Sequence, residues 1–273
     1  MSHLLRTPHP GWRLLLAALL VFALAPLAWL LSVSLMSQPE TVAGILFSPS
    51  PQWSNWGEVL TQSNVPRGLL NSLLAALGGA LLTLALALPG AWAMARWRTG
   101  GALLAGLVTA PWLLPPIVAV VPLFYLLRLL GLNGTLGGLT LVYALVNVPV
   151  AVWLLDGFLR RLPDELYEAA QLDGAGLWRT LWSIVLPLMA PALVAVGIIC
   201  AILNYNEFLL ATFFTQSGQS QTLPVVLSLF YGDRTPHAGK IAAASAIGVL
   251  PVFLAAVLLQ RWLVGGLTAG GVK

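Results

Sequence analysis

Long apolar stretches, separated by short polar or glycine- and proline-containing segments, run through the sequence from end to end. A helix needs roughly 20 mostly apolar residues to cross the hydrocarbon of a bilayer. Six stretches have this character, and they predict transmembrane helices over residues 12–35, 69–95, 102–127, 139–155, 191–214 and 241–260. We therefore expect an all-α, polytopic membrane protein that forms a single transmembrane domain over residues 1–273.

Composition supports this interpretation. Hydrophobic residues make up 59% of the chain and charged residues 8%, with a mean hydropathy of +0.89. An ordinary soluble domain could not hide so much apolar surface. The 13 basic and 9 acidic residues are thinly spread, so no basic run could form a nucleic-acid face. The single cysteine, Cys200, excludes an internal disulfide and a cysteine metal cluster.

Prolines interrupt most of the predicted spans. They are Pro26, Pro89, Pro111, Pro115, Pro116, Pro122 and Pro149. Within a membrane such breaks survive only where neighbouring helices or a cavity satisfy the freed carbonyl groups. We therefore expect a packed, jointed bundle.

The distribution of basic residues predicts the orientation. With a cytoplasmic N-terminus, nine basic residues fall on the inner side and four on the outer side. The positive-inside rule thus favours two cytoplasmic termini. The outer side then receives residues 37–67, 131–134 and 215–239, while the cytoplasm receives residues 96–101, the C-terminal tail and one long loop over 160–187.

The loop over residues 160–187 contains a short predicted helix that begins after Pro163 and stops at Gly174. Helical spacing predicts one face of mostly small side chains, formed by Leu166, Ala169, Ala170 and Asp173. A helix lying on lipid headgroups is the alternative. Such helices favour lysine and arginine, whereas this one carries four acids, which favours a surface for another protein.

A spaced set of residues in this loop resembles the EAA loop of ABC-importer permeases. The set is Glu168, Ala169, Ala170, Gly174, Ile184, Leu186 and Pro187. Other segments narrow the resemblance to the carbohydrate-uptake subfamily, and within it to MalG-like permeases: Asp173 to Ala175, Pro191, Asn206 to Phe208, Thr222 to Pro224 and the ending Gly265 to Lys273. The resemblance covers nearly the whole chain and is weakest before Arg67.

The resemblance implies the type I importer permease fold in a bacterial inner membrane. It implies a second, related permease chain, two ATPase subunits, an external solute-binding protein and a sugar as the substrate. It also implies an ATPase-coupling role for Glu168, Ala169, Ala170, Asp173, Gly174, Ile184, Leu186 and Pro187. ATP and Mg would be bound by the ATPase partner, and this chain, which has no phosphate loop of the G-x-x-x-x-G-K-[ST] type, would hold no cofactor or metal and would not be an enzyme.

Four residues deep in the fifth predicted span are candidates for the translocation path: Asn204, Tyr205, Asn206 and Glu207. An acid within a membrane span is costly unless it faces a cavity or a partner. Glu207 could line a sugar path or bond a neighbouring helix, and the sequence leaves both roles open.

Two further segments have open interpretations. The outer loop over 215–239 is either a flexible polar loop or a segment that reaches into the docked binding protein, as it does in relatives. The glycine-rich tail over 265–273 would be disordered on composition alone, whereas the resemblance implies that Thr268, Gly270 and Lys273 reach the ATPase.

Other classes of transporter remain alternatives. A permease for a non-sugar or phosphorylated solute, such as glycerol phosphate, would need basic residues in its path, and the spans offer little beyond Arg128. An ion-coupled secondary transporter would explain broken spans and Glu207, but the sequence contains no evident inverted repeat. A membrane-embedded enzyme would need a cluster of catalytic side chains on one face.

Overall fold

Helices form all the regular structure that the computed structural model describes, over residues 10–97, 101–230 and 237–269. Their bounds are α1 Pro10–Ser34, α2 Gln38–Ala43, α3 Ser54–Gln62, α4 Val65–Trp97, α5 Gly101–Leu113, α6 Ile117–Leu129, α7 Leu136–Leu159, α8 Asp164–Leu172, α9 Leu177–Thr180, α10 Leu186–Tyr205, α11 Leu209–Phe214, α12 Leu223–Phe230 and α13 Ala238–Ala269. A π-helical segment, Leu181–Val185, joins α9 to α10.

Five helices in the described part of the chain are long and apolar enough to cross a membrane. They are Gly11–Ser34, Val65–Trp97, Leu136–Leu159, Leu177–Tyr205 and Ala238–Leu258. A shorter apolar helix, Ile117–Leu129, adds a sixth apolar segment. These helices confirm the prediction of an all-α, polytopic membrane protein.

The third predicted span, 102–127, is two helices rather than one. α5 ends at Leu113 and α6 begins at Ile117. Pro115 and Pro116 have no backbone N–H to donate, and a proline disfavours helical backbone in the residue before it. Two successive prolines therefore separate α5 from α6. By contrast, the single prolines Pro26, Pro89 and Pro149 lie within α1, α4 and α7, which continue past them.

The helix observed at the fifth predicted span, 191–214, differs from the prediction at both ends. The helix starts earlier, at Leu177, and stops at Tyr205, and α11 follows after a break at residues 206–208. In the π-helical segment the Leu186 N–H donates to the Leu181 carbonyl, five residues back. This wider turn lies directly before Pro187, whose ring would press on the preceding turn of an ordinary α-helix.

The chain divides into two compact units. The first combines Met1–Val65 with Leu227–Leu250. Within it, the buried Asn55 side chain donates to the carbonyls of Ser34 and Met36 at 3.1 and 3.0 Å. An ion pair between Lys240 and Glu58, 2.5 Å long, ties the start of α13 to α3.

The second unit, Pro66–Val226 with Pro251–Lys273, contains two apolar cores. One core packs α4, α7 and α10 together with the α8 residue Tyr167. The other packs α6, α7 and α11 around Leu127, Tyr143 and Phe214. The first core therefore positions α8, and the second positions α11 near the opposite end of α7.

Candidate functional site

The short helix α8 presents one face to its own chain and the other outward. Tyr167 and Ala170 are buried, whereas Glu168 and Ala169 are exposed and Leu172 is 90% exposed. Residues 165, 168, 169 and 172 follow the i, i+3, i+4, i+7 spacing of a single helix face. We call the exposed side chains of Glu165, Glu168, Ala169 and Leu172 the outer face of α8.

The two alanines of the motif have different surroundings, which corrects the prediction that they share one small-residue face. Ala169 is exposed, but Ala170 is only 3% exposed and packs within its own chain. Successive helical residues are about 100° apart, and Ala170 instead shares the inward face of Tyr167, three residues earlier. Only Ala169 of the pair is available to a partner.

Gly174 ends α8 in a Schellman motif. Its φ is +71°, the Ala175 N–H donates to the Ala170 carbonyl at 2.9 Å, and the Gly174 N–H donates to the Gln171 carbonyl at 3.0 Å. A Cβ added at Gly174 would meet no heavy atom within 4 Å. Glycine is therefore required here by backbone conformation and not by lack of space.

Arg96, near the end of α4, binds α8. Its guanidinium donates to the Asp164 carboxylate at 3.0 Å, and its Cζ lies 4.6 Å from the centroid of the Tyr167 ring. Burial raises the pKa of the Tyr167 hydroxyl, and the nearby Arg96 charge partly opposes that rise. In the sequence, Arg96 served only to predict the orientation. Its partners Asp164 and Tyr167 lie 68 and 71 residues later in the chain, and no local pattern indicates these contacts.

A small cavity of about 70 Å³ lies beneath α8, lined in part by Trp92, Arg96, Tyr167 and Gln171. Trp92 is buried and packs edge-on against Trp97, with 4.9 Å between the ring centroids. α8 thus rests on a cluster of aromatic side chains at the end of α4.

The remaining motif residues lie at the C-terminal end of α8 and along the helix that follows it. Asp173 is exposed, Ile184 lies half-buried in the π-helical segment, and Leu186 and Pro187 begin α10. Large apolar side chains are also exposed beside α8: Leu177, Trp178 and Trp182. The predicted coupling residues therefore all lie within residues 168–187, but not all of them face outward.

Asn204 belongs to a buried polar network within the second unit. Its Oδ1 accepts from Asn147 Nδ2 at 2.6 Å, and its own Nδ2 donates to the Ala76 carbonyl at 3.2 Å. These bonds join α10 to α7 and α4. A Cβ added at Gly79 would lie 2.8 Å from Asn204 Nδ2, so glycine leaves the space that the amide occupies.

Glu207 lies in the break between α10 and α11, and its carboxylate binds the N-terminus of α11. The Leu210 and Ala211 N–H groups donate to its two carboxylate oxygens at 2.9 and 3.0 Å. The Tyr143 hydroxyl donates to the Glu207 backbone carbonyl at 3.3 Å. An acid is favoured at this position because the first N–H groups of a helix lack partners within the helix.

The other two candidates for the translocation path, Tyr205 and Asn206, have different surroundings from Asn204 and Glu207. Tyr205 is buried and lines an apolar cavity of about 370 Å³ between α4, α10 and the part of α13 that carries Pro251 and Ala255. Asn206 is exposed, and its Nδ2 donates to the Ile202 carbonyl of its own helix at 2.8 Å. The four adjacent candidates do not converge on one polar cavity.

The first part of the outer loop is held by α4. The Asn71 side chain donates to the backbone carbonyls of Gln219 and Gln221 at 3.0 and 2.9 Å. Residues 231–236 of this loop lie outside the described residues, as do Gly270 and Lys273 of the predicted ATPase-contacting tail. The backbone of Thr268 belongs to α13.

Residues 87–268 match the family of binding-protein-dependent transport system inner membrane components. The matched region contains α8, Gly174 and the break at Glu207. The chain belongs to this family, which confirms the resemblance to ABC-importer permeases.

Curated relatives match over most of the chain. A putative ABC transporter permease, ORF1, from Streptomyces antibioticus is 39% identical over 82% of this chain and 98% of its own. The sulfoquinovosyl glycerol transport permease SmoH of Agrobacterium fabrum is 34% identical over 93% and 90%. The trehalose/maltose transport permease MalG of Thermococcus litoralis is 33% identical over 93% and 92%.

A solved structure has the same fold. It is a bacterial ABC transporter involved in the import of the acidic polysaccharide alginate, which is 22% identical and covers 91% of this chain and 94% of its own with a TM-score of 0.77. The expectation of an ABC-importer permease fold is therefore confirmed.

Proposed function

We propose that this chain is one of two permease subunits of an ATP-driven importer that receives a sugar from an external solute-binding protein. A related but different permease chain completes the translocation path, and two ATPase subunits bind on the cytoplasmic side. The protein lies in a bacterial inner membrane with both termini in the cytoplasm. The proposal is supported most by the outer face of α8, an exposed face of a short helix that follows the long membrane helix α7.

Coupling is mechanical in this proposal. The outer face of α8 sits in a cleft of an ATPase subunit, where Glu168 pairs with a basic side chain. When ATP binding closes the ATPase pair, α8 moves with it. Arg96 then transmits the motion to α4 through Asp164 and Tyr167, which it contacts directly. The continuous helix from Leu177 carries the motion into α10.

Catalysis belongs to the partner. ATP and its Mg²⁺ bind to the ATPase subunits, and this chain contributes no catalytic residue, cofactor or metal ligand. Its residues position α8 and transmit movement. The tail with Thr268, Gly270 and Lys273 adds a second contact to the ATPase, and the outer loop reaches the binding protein.

A sugar is favoured as the substrate by the names of several relatives. Besides SmoH and MalG, they include a trehalose permease of Mycobacterium tuberculosis, 31% identical over 96% of this chain, and a melibiose/raffinose/stachyose permease of Bacillus subtilis, 29% identical over 95%. A phosphorylated solute or ion-coupled transport is not favoured. In the path, Asn204 and Glu207 act by holding helices in place rather than as direct sugar ligands.

Reconstitution tests this function. The chain is co-expressed with the permease, ATPase and binding-protein genes that neighbour it, and the complex is placed in proteoliposomes. We expect ATP-dependent accumulation of a neutral sugar from a panel that includes maltose, trehalose, melibiose and glycerol 3-phosphate. Accumulation of glycerol 3-phosphate alone, or uptake driven by an ion gradient without ATP, would contradict the proposal.

A further inference from the structure

The loop between α2 and α3, residues 44–53, folds back onto the C-terminal end of α1. The Ser32 hydroxyl donates to the Leu46 carbonyl, and the Gln52 N–H donates to the Leu35 carbonyl at 2.8 Å. Ser32 lies in the last turn of α1, and Leu35 directly follows the last residue of that helix. These two hydrogen bonds therefore fix the depth of the loop relative to a membrane-spanning helix.

The end of α1 lies close to the surface of the hydrocarbon. Arg13 is the last charged residue before Glu40, so α1 carries no charge beyond its first turn. About 20 helical residues, at about 1.5 Å each, cross the roughly 30 Å of hydrocarbon, so a span that begins at Arg13 ends at about residue 33. Leu46 is thus held where the hydrocarbon meets the headgroups, and Gln52 lies about 5 Å farther out.

The polar groups of this segment bond to one another. The Glu40 carboxylate accepts from the Ser37 N–H and hydroxyl at 2.7 and 2.8 Å, and from the Ser48 hydroxyl at 2.8 Å. The large apolar side chains are instead exposed, by 81% at Val42, 65% at Leu46, 77% at Phe47 and 69% at Trp53. Polar groups that bond internally, beneath apolar side chains that are exposed, are the arrangement expected beside lipid.

Charge and residue type favour lipid as the partner of this surface. It continues the apolar surface of α1, whose side chains are exposed along the helix. No basic residue occurs between Arg13 and Arg67, so the attachment is apolar and does not depend on anionic headgroups. Tryptophan is enriched where the hydrocarbon meets the headgroups, and Trp53 follows Gln52 at that level.

We propose that residues 42–53 are a lipid anchor, in which Leu46 and Phe47 insert at the border of the hydrocarbon and Trp53 lies among the headgroups. The partner is the phospholipid of the leaflet in which α1 ends. The Asn55 side chain attaches α3 to the same end of α1. The anchor therefore fixes α3 at the membrane surface, whichever solute is transported.

Photo-cross-linking in intact membranes tests the anchor. p-Benzoyl-phenylalanine replaces Phe47 in the full chain, expressed with its partner subunits, and phospholipid adducts on the purified chain are counted by mass spectrometry after irradiation. We expect at least fivefold more phospholipid adducts at position 47 than with the probe at Gln219, and the same excess when the probe replaces Trp53. The probe keeps a phenylalanine ring at an exposed position, and melting temperatures confirm that each variant is folded.

Gln219 is the matched control, an exposed side chain farther from the hydrocarbon. Its carbonyl accepts from the Asn71 side chain at 3.0 Å. About 20 residues counted back from Arg96, the charged residue in the last turn of α4, end at about residue 76. Asn71 lies roughly 8 Å beyond that point, at about 1.5 Å per residue.

The same experiment separates lipid from a protein that covers this surface. Phospholipid adducts at position 47 no more frequent than at position 219 would overturn the anchor, whether the probe captured another subunit, the binding protein or nothing. Adducts to protein in place of lipid would identify the surface as a subunit contact.

Discussion

The guanidinium of Arg96 lies over the ring of Tyr167, with its Cζ 4.6 Å from the ring centroid. The same guanidinium binds Asp164, so one side chain at the end of α4 contacts α8 at two points one turn apart. The ion pair alone contributes little, because Asp164 is 77% exposed and such pairs are worth about 0–1 kcal/mol. The contact between Arg96 and the buried Tyr167 is the firmer link between the membrane helix and the coupling helix.

Arg96→Ala should therefore uncouple the transporter without unfolding it. We expect sugar uptake per ATP hydrolysed to fall about fivefold or more, because α8 would move without pulling α4. Tyr167→Phe should behave like the unchanged protein, since it keeps the ring that the guanidinium covers. Uptake and ATP hydrolysis measured in the same proteoliposomes check both variants. An unchanged ratio in Arg96→Ala would show that α4 receives no motion through this contact.

Gly174 provides a test of backbone conformation. Gly174→Val should reduce ATPase association, because an L-residue in the left-handed region costs roughly 1–2 kcal/mol and a β-branched one is disfavoured further. Gly174→Asn should be tolerated better, since asparagine adopts this conformation more readily. Gly176→Val is the matched control, because Gly176 has a φ of −70° and open space around its Cα. Co-purification of the ATPase is the readout, and equal loss in Gly174→Val and Gly176→Val would contradict this account.

The buried pair Asn147 and Asn204 should contribute to stability as a unit. Leucine at either position removes the hydrogen bond between the two amides, so a double-mutant cycle in detergent should give a coupling free energy of about 0.6–2 kcal/mol. Asn206→Leu, at an exposed asparagine whose side chain donates to its own helix, should change stability by less than about 0.5 kcal/mol. If the stability losses of the two single variants simply added up to the loss in the double variant, the 2.6 Å bond between the two amides would contribute nothing to stability.

Glu207 should act through α11. Glu207→Ala removes a helix cap worth about 0.5–2 kcal/mol, and Glu207→Gln keeps one of its two acceptor oxygens. Hydrogen–deuterium exchange over residues 207–216 should therefore be fastest in Glu207→Ala and intermediate in Glu207→Gln. If exchange stayed unchanged while sugar uptake fell, the carboxylate would serve the path and not the helix.

Much of this fold follows from apolar stretches about 20 residues long, which is why the sequence predicts the helical, membrane-spanning character of α1, α4, α7 and α13. The breaks were harder to predict. Pro115 and Pro116 end α5, but single prolines elsewhere do not end a helix, so a proline alone does not distinguish the two outcomes. The pattern Glu207 to Ala211 carries a helix-start signal, an acid before an apolar run, that the surrounding apolar residues obscure.

In the candidate site, too, some features follow from the local sequence and others depend on long-range packing. The EAA spacing and the positive φ of Gly174 follow from local residue order, because helix stops depend on near neighbours. The inward face of Ala170 and the contacts of Arg96 depend on long-range packing. No local pattern specifies that α4 ends beside α8.

Glu168 tests the central claim, that the outer face of α8 couples this chain to an ATPase, most directly. Glu168→Lys reverses the charge of an exposed side chain on the outer face of α8 and outside the membrane helices, so the variant should insert normally. Glu165→Lys makes the same charge change one turn earlier on the same face, where no ion pair with the ATPase is proposed, so its effect should be smaller. Sugar-stimulated ATP hydrolysis and ATP-driven uptake should fall at least tenfold in Glu168→Lys, equivalent to about 1.4 kcal/mol, and by a smaller factor in Glu165→Lys. Full uptake and full ATPase association in Glu168→Lys would contradict the coupling role.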